Sequence, residues 1–171
     1  MIKSNVLQNT LKQLATSKDF NVRRDVASYP HTSAEVLDFL SKDENSSVLY
    51  AVSKNPNTTT ETLEYLYKIK DNIGDPTFLM ISRHPNTSIE ILEKIFKSEG
   101  VESYWGLLLN KNTPLHMLEE ISKQEDVDFL KRVVNHPNTS VELLIALSNH
   151  HYLTISNLAL SVRRIRMGLL G

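Results

Sequence analysis

Six histidines, His31, His84, His116, His136, His150 and His151, are the side chains that could join the carboxylates in ligating a metal or acting as a base. His150 and His151 are neighbours in a stretch that reads as a loop, where adjacent side chains are expected to point apart. Four glutamates, Glu35, Glu61, Glu90 and Glu142, each stand three residues after a threonine. That pattern could serve acid–base chemistry or helix capping, and capping accounts for all of them at once. Asp71-Asn72-Ile73-Gly74-Asp75 has some of the composition of a calcium loop but lacks the downstream bidentate glutamate. Trp105 with Asp128 or Glu102 is the pairing of aromatic and carboxylate that the sequence offers. The glycines Gly74, Gly100, Gly106, Gly168 and Gly171 are isolated, so no Gly-rich phosphate cradle forms. Nucleophile-elbow and zinc-protease motifs are missing as well.

The absence of cysteine removes disulfides, thiolate zinc sites, cysteine-ligated clusters and cysteine nucleophiles together. With 171 residues, an apolar fraction of 40% and a charged fraction of 23%, the chain has the makings of one ordinary folded domain. Its longest strictly apolar run, Leu143 to Leu147, is five residues, far short of the roughly 20 that span a bilayer. No signal-peptide apolar region follows Met1, so the expectation is a soluble cytoplasmic protein with no membrane segment.

The elements that must position these residues are set out by a repeat. Tyr29-Pro30-His31-Thr32, Asn55-Pro56-Asn57-Thr58, His84-Pro85-Asn86-Thr87, Asn110-Lys111-Asn112-Thr113 and His136-Pro137-Asn138-Thr139 are copies of one phrase, their threonines 26, 29, 26 and 26 residues apart. A fixed period of this size marks a stacked-repeat architecture. Each threonine is placed to be the N-cap of a helix, with the glutamate three residues on completing a capping box. In the fourth copy His116 replaces the glutamate and Pro114 takes the first helical position. His84 and His136 share a column but lie two repeats apart, roughly 16–20 Å at helix-packing distances, too far for one metal ion.

Apolar columns recur behind each cap at helical spacing: Val36, Leu37 and Leu40; Thr62, Leu63 and Leu66; Ile91, Leu92 and Ile95; Met117, Leu118 and Ile121; Leu143, Leu144 and Leu147. The column Phe39, Tyr65, Lys94, Glu120, Ala146 is too mixed for a core and faces water or a partner. A second, shorter element ends before each proline, anchored by Val26, Val52, Ile81, Leu107 and Val133, with weaker anchors at Val22, Val48, Thr77, Ser103 and Phe129. About two turns fit before the proline, as a short α-helix or a 3₁₀ segment. Leu11 and Leu14 predict an N-terminal helix over residues 5–17, and Ile155 and Ala159 a terminal helix over residues 154–168. The reading is one all-α solenoid domain: a cap at 1–20, about five 26-residue repeats at 21–147 alternating long and short helices, and a cap at 148–171.

Asn21-Val22-Arg23-Arg24-Asp25-Val26-Ala27-Ser28-Tyr29-Pro30-His31-Thr32 resembles the variant leucine-rich repeat, whose units carry a V-R-x-x-V-A-x-N-P-x-T pattern before a leucine-bearing helix. The resemblance covers roughly residues 5–160 and implies a right-handed superhelix of alternating α- and 3₁₀-helices without a sheet. The family's cysteine-ligated iron–sulfur module does not carry over to a chain with no cysteine, so no cofactor is expected. Units of 26 residues, slightly longer than the family's, leave a HEAT-like two-helix solenoid open. The resemblance supplies no activity.

Charge and surface pattern supply the functional expectations. From residue 131 onward Lys131, Arg132, Arg163, Arg164 and Arg166 face only Glu142, a net of +4, against −5 for residues 1–130. This basic end either keeps a terminal helix solvated or contacts phosphate or an acidic partner. The column six residues before the proline position, Arg24, Tyr50, Leu79, Trp105 and Lys131, contains the residue types that dominate interfaces. The primary expectation is a non-enzymatic scaffold, with no catalytic or metal residues, binding a protein through its repeat face. The alternative is nucleic-acid binding through Lys131, Arg132, Arg163, Arg164 and Arg166, with a HEAT-like DNA-repair glycosylase as its catalytic variant.

Overall fold

The computed structural model of the chain describes residues 2–69, 75–98 and 100–169. Among them every regular element is a helix, and none is long and apolar enough to cross a membrane. The chain divides into two compact units, residues 1–92 and 93–171. The first holds α1 (Ile2–Leu14), α2 (Phe20–Ser28), α3 (Ala34–Leu40), α4 (Ser46–Lys54), α5 (Thr60–Lys68), α6 (Asp75–Arg83) and the start of α7 (Ile89–Ser98). The second continues with a 3₁₀ turn (Gly100–Ser103), α8 (Tyr104–Leu107), α9 (Leu115–Ile121), α10 (Val127–Asn135), α11 (Val141–Ser148) and α12 (Leu153–Arg166). In the first unit α2, α4 and α6 pack side by side, with α3 and α5 joining them in sequence; in the second α10 packs on α12 and α12 on α11.

The expected alternation of long and short helices does not hold. The helices before the proline position, α2, α4, α6 and α10, have nine residues each, against seven, nine, ten, seven and eight for α3, α5, α7, α9 and α11; α8, with four, is the short one. The reason is a second cap. Asp19, Asn45 and Asp126, each eleven residues before the proline, accept the backbone N–H two residues on and start the helix a turn earlier. In the fourth repeat Gly100 stands there at φ 62°, and the element opens as a 3₁₀ turn before α8. Gly74, the third counterpart, lies outside the described residues, as do residues 71–74 of the calcium-like loop. Each helix ends in extended backbone before proline, at Tyr29, Asn55 and His136, as steric conflict with the proline ring requires.

The repeated threonine also does different work from an N-cap. Thr32, Thr58, Thr87 and Thr113 are buried and donate their hydroxyls to the carbonyls of Val26, Val52, Ile81 and Leu107 at 2.5–2.6 Å, and Thr139 does the same to Val133. The hydroxyl therefore closes the end of the preceding helix, adding a second bond to a carbonyl that already accepts the N–H three residues on. The next residue caps the following helix: Ser33, Thr59, Ser88 and Ser140 accept the N–H three residues on, and Pro114 takes the place without a side-chain bond. The glutamates fall in the first turn, outside a threonine capping box. Glu61 is held below its ordinary value by its own amide N–H and then the Thr59 hydroxyl, and Glu35 reaches Lys12 at 2.7 Å.

Within each unit, side chains of the proline loop tie a repeat to the one before. Asn55 Nδ2 donates to the carbonyls of Ala27 and Tyr29 at 2.7 and 2.9 Å, while its Oδ1 accepts the Asn57 N–H. His84 makes the same pair of bonds: Nε2 donates to the Asn55 carbonyl at 3.0 Å and Nδ1 accepts the Asn86 N–H at 3.1 Å. His136 repeats this with the Asn110 carbonyl and the Asn138 N–H. Because Nδ1 accepts, its proton is assigned to Nε2 and both rings are neutral. Asn57 and Asn138 add a fork, donating to Pro30 and Thr32 and to Lys111 and Thr113 respectively; Asn86 donates to Thr58. At the end of the second unit, Arg166 donates to the carbonyls of His136 and Thr139, the two positions that an Asn or His pair addresses elsewhere.

The apolar columns form the core. Leu37, Leu63, Leu66, Ile81, Leu92, Ile95, Leu107, Leu118, Ile121, Val133 and Leu144 are fully buried; only Leu143, in its column, is half-buried. At the N-terminus the helix runs three residues earlier than expected and Leu14 is exposed. Ala15, held by an N–H bond to the Leu11 carbonyl, takes the buried place beside Leu11. At the other end Ile155 and Ala159 are buried as expected, and Gly168 at φ 67° closes α12 in a Schellman turn with Leu169 N–H on the Arg164 carbonyl.

Candidate interaction surface

Side-by-side packing of α2, α4 and α6 brings residues of the same register onto one face of the first unit. A groove of about 790 Å³ lies there, lined by Arg24, Ser28, Tyr50, Lys54, Pro30 and Pro56 among others. Arg24 and Tyr50, from the column singled out in the sequence, thus share a site; Leu79, the next member, is exposed on α6. Lys54, read in the sequence only as a helix-dipole partner, is the groove residue that sequence reasoning missed. Its signal was present: it follows Ser28, another lining residue, by one 26-residue period.

The charged residues that line the groove itself are Arg24 and Lys54, both basic. The helix α4 has no acidic residue, and Lys54 and Arg83 have no acidic partner among the described residues. Arg24 pairs only with its exposed neighbour Asp25 at 2.9 Å. Arg23 is not available, since its guanidinium grips both oxygens of Asp43 at 2.5 and 2.9 Å. Burial pushes Asp43 up, but Arg23 and the Asn45 N–H outweigh it and hold the carboxyl below its usual range. Glu35 and Asp38 stand on α3 and Glu61 and Glu64 on α5, while Asp25 belongs to α2 and Asp75 opens α6.

In the second unit Trp105 is 38% exposed, packs edge-on against Phe129 with centroids 5.0 Å apart, and carries the Arg132 guanidinium 4.9 Å from its ring centre. Tyr104 is buried between Phe96 and Phe129, filling the space left by the small anchor Ser103. Lys131 is exposed and pairs with Asp128 at 3.4 Å; Asp128 and Glu102 are both exposed. The carboxylates near Trp105 are therefore solvated, whereas a base-excising site requires a desolvated one.

The basic end is not one patch. Arg163 and Arg164 have no acidic partner among the described residues, but Arg166 spends its guanidinium on loop carbonyls. His150 and His151 do not point apart: their rings stack with centroids 4.4 Å apart, and Tyr152 packs against both. His116 pairs with Glu93 at 2.8 Å. Among the described residues no group of three or more His, Asp or Glu could hold a metal ion. Compared with family models, with curated proteins and with solved structures, the chain matches none.

Proposed function

We propose that this chain is a non-enzymatic scaffold that binds a protein partner through the face formed by α2, α4 and α6. The observation that carries this reading is the groove of about 790 Å³, in which Tyr50 lies beside Arg24 and Lys54. Tyrosine and arginine in a concave site are the side chains that contribute most to protein–protein affinity. The reading includes a right-handed α-solenoid of about five repeats, akin to the variant leucine-rich repeat, working in the cytoplasm. Loop bonds that recur with the repeat inside each unit support it, because stacking solenoids join neighbours by the same contacts each time. Nucleic-acid binding at the basic end is the weaker reading, since Arg166 already serves the loop carbonyls and leaves Arg163 and Arg164 alone.

Affinity capture from cell extract, with and without nuclease, tests this. A protein retained by the wild type and by Arg163→Ala/Arg164→Ala, but lost with Tyr50→Ala, is the expected result. Capture that disappears with nuclease and requires Arg163 and Arg164 would replace the scaffold by a nucleic-acid binder.

A further inference from the structure

We propose that the groove on α2, α4 and α6 takes an extended, acidic segment of its partner, with carboxylates spaced about three residues apart. This rests on the scaffold reading and adds the chemistry of the occupant. Charge decides the sign. Among the described residues Lys54 has no acidic partner and Arg24 has the exposed Asp25, and Arg83 holds the position on α6 that Lys54 holds on α4. The Arg24–Asp25 contact is solvent-exposed on both sides, so an incoming carboxylate displaces it at little cost. Acids on α3 and α5 belong to other helices and do not line the groove.

Spacing decides the form. Successive helices in such a layer stand about 8–10 Å apart, and an extended strand rises about 3.3 Å per residue. A chain crossing α4 and α6 therefore meets Lys54 and Arg83 with side chains about three residues apart. Ser28, Ser46 and Ser47 line the same groove, are exposed, and have hydroxyls with no protein acceptor among the described residues. They supply donors for the carbonyls of an extended backbone, which has no internal bonds of its own. Pro30 and Pro56 give rigid apolar walls, and Tyr50 a flat surface for the aliphatic part of the segment. A single-stranded nucleic acid fits less well, because stacking needs successive aromatic platforms and the next member of the Tyr50 column is Leu79.

The test uses the full chain and a fluorescein-labelled peptide of about twelve residues, glutamate at every third position between glycine, serine and leucine. A control peptide carries glutamine at those positions, and an oligothymidylate is the third probe. Fluorescence anisotropy is expected to show binding of the glutamate peptide only, weakened roughly tenfold by Lys54→Glu and several-fold by about 0.5 M salt, with Lys54→Arg close to wild type. Equal binding of the glutamine peptide, indifference to Lys54→Glu, preference for the oligothymidylate, or no binding of any probe would each overturn the inference. If these probes fail while a Tyr50-dependent protein is still captured from extract, the acidic occupant falls and the scaffold stands. If both fail, the scaffold reading falls too. Circular dichroism of Lys54→Glu guards against misfolding, and Lys54 is exposed, so the fold is expected to be unchanged.

Discussion

Replacing His84 by asparagine keeps both bonds of the loop position, because Nδ2 and Oδ1 of asparagine lie where Nε2 and Nδ1 of the ring now act. His84→Asn is expected to change unfolding free energy by less than about 1 kcal/mol, whereas His84→Ala leaves the Asn86 N–H unpaired and costs about 2–3 kcal/mol. Urea denaturation separates the two. The same substitution removes an acid sensitivity. Burial lowers the pKa of His84 below 6.5, partly offset by the Asn55 carbonyl. Burial lowers that of His136 too, with the nearby Arg166 charge acting in the same direction. A second proton would have to sit on Nδ1, which faces the N–H of Asn86 or Asn138. Their contribution is complete above the unfolded value of 6.5 and is lost as pH falls through the lower folded values. A His84→Asn/His136→Asn chain should show a flatter fall in urea midpoint between neutral pH and about pH 5. An unchanged slope would mean that other groups control acid stability.

At the scale of elements, helix starts and helix ends carry separate signals. Asn45→Ala removes the side-chain acceptor that begins α4 and should cost about 1 kcal/mol, with faster amide exchange confined to the first turn of α4. Thr58→Ala instead leaves the Val52 carbonyl at the other end of that helix with the Asn55 N–H alone and should loosen the Asn55–Thr58 loop. If both variants loosen the same amides, the two-cap description fails. The apolar columns and both terminal helices were legible because burial imposes a 3.6-residue period that survives substitution. The caps were less so. Thr32-Ser33, Thr58-Thr59, Thr87-Ser88 and Thr139-Ser140 each put two hydroxyls side by side, and spacing alone does not say which one turns back and which one turns forward. The Asp19, Asn45 and Asp126 column was readable from its fixed distance to the proline, but Gly100 interrupts it.

For the whole molecule, the surface residues singled out in the sequence do not share one setting. Arg24 and Tyr50 line a groove, Trp105 and Arg132 form a stacked pair, and Arg166 belongs to the loop bonding. Side-chain type announced a surface but not its use, because an arginine that binds carbonyls and one that faces solvent are the same letter. Arg166→Ala is expected to cost about 1–2 kcal/mol and a few degrees of melting temperature. Arg163→Ala/Arg164→Ala should leave stability within about 0.5 kcal/mol. Calorimetry of both variants checks this; equal losses would return Arg166 to the basic surface.

The forked side chain that ends the second unit has a use in engineering. One guanidinium on α12 answers the carbonyls for which a full repeat would otherwise bring two residues, so α12 is a portable stopper. Grafted after the Asn55–Thr58 loop, it would meet the same pair of acceptors, the Asn55 and Thr58 carbonyls that His84 and Asn86 now address. Arrays of chosen length could then be assembled from identical middle units, with the groove shortened or extended one helix at a time.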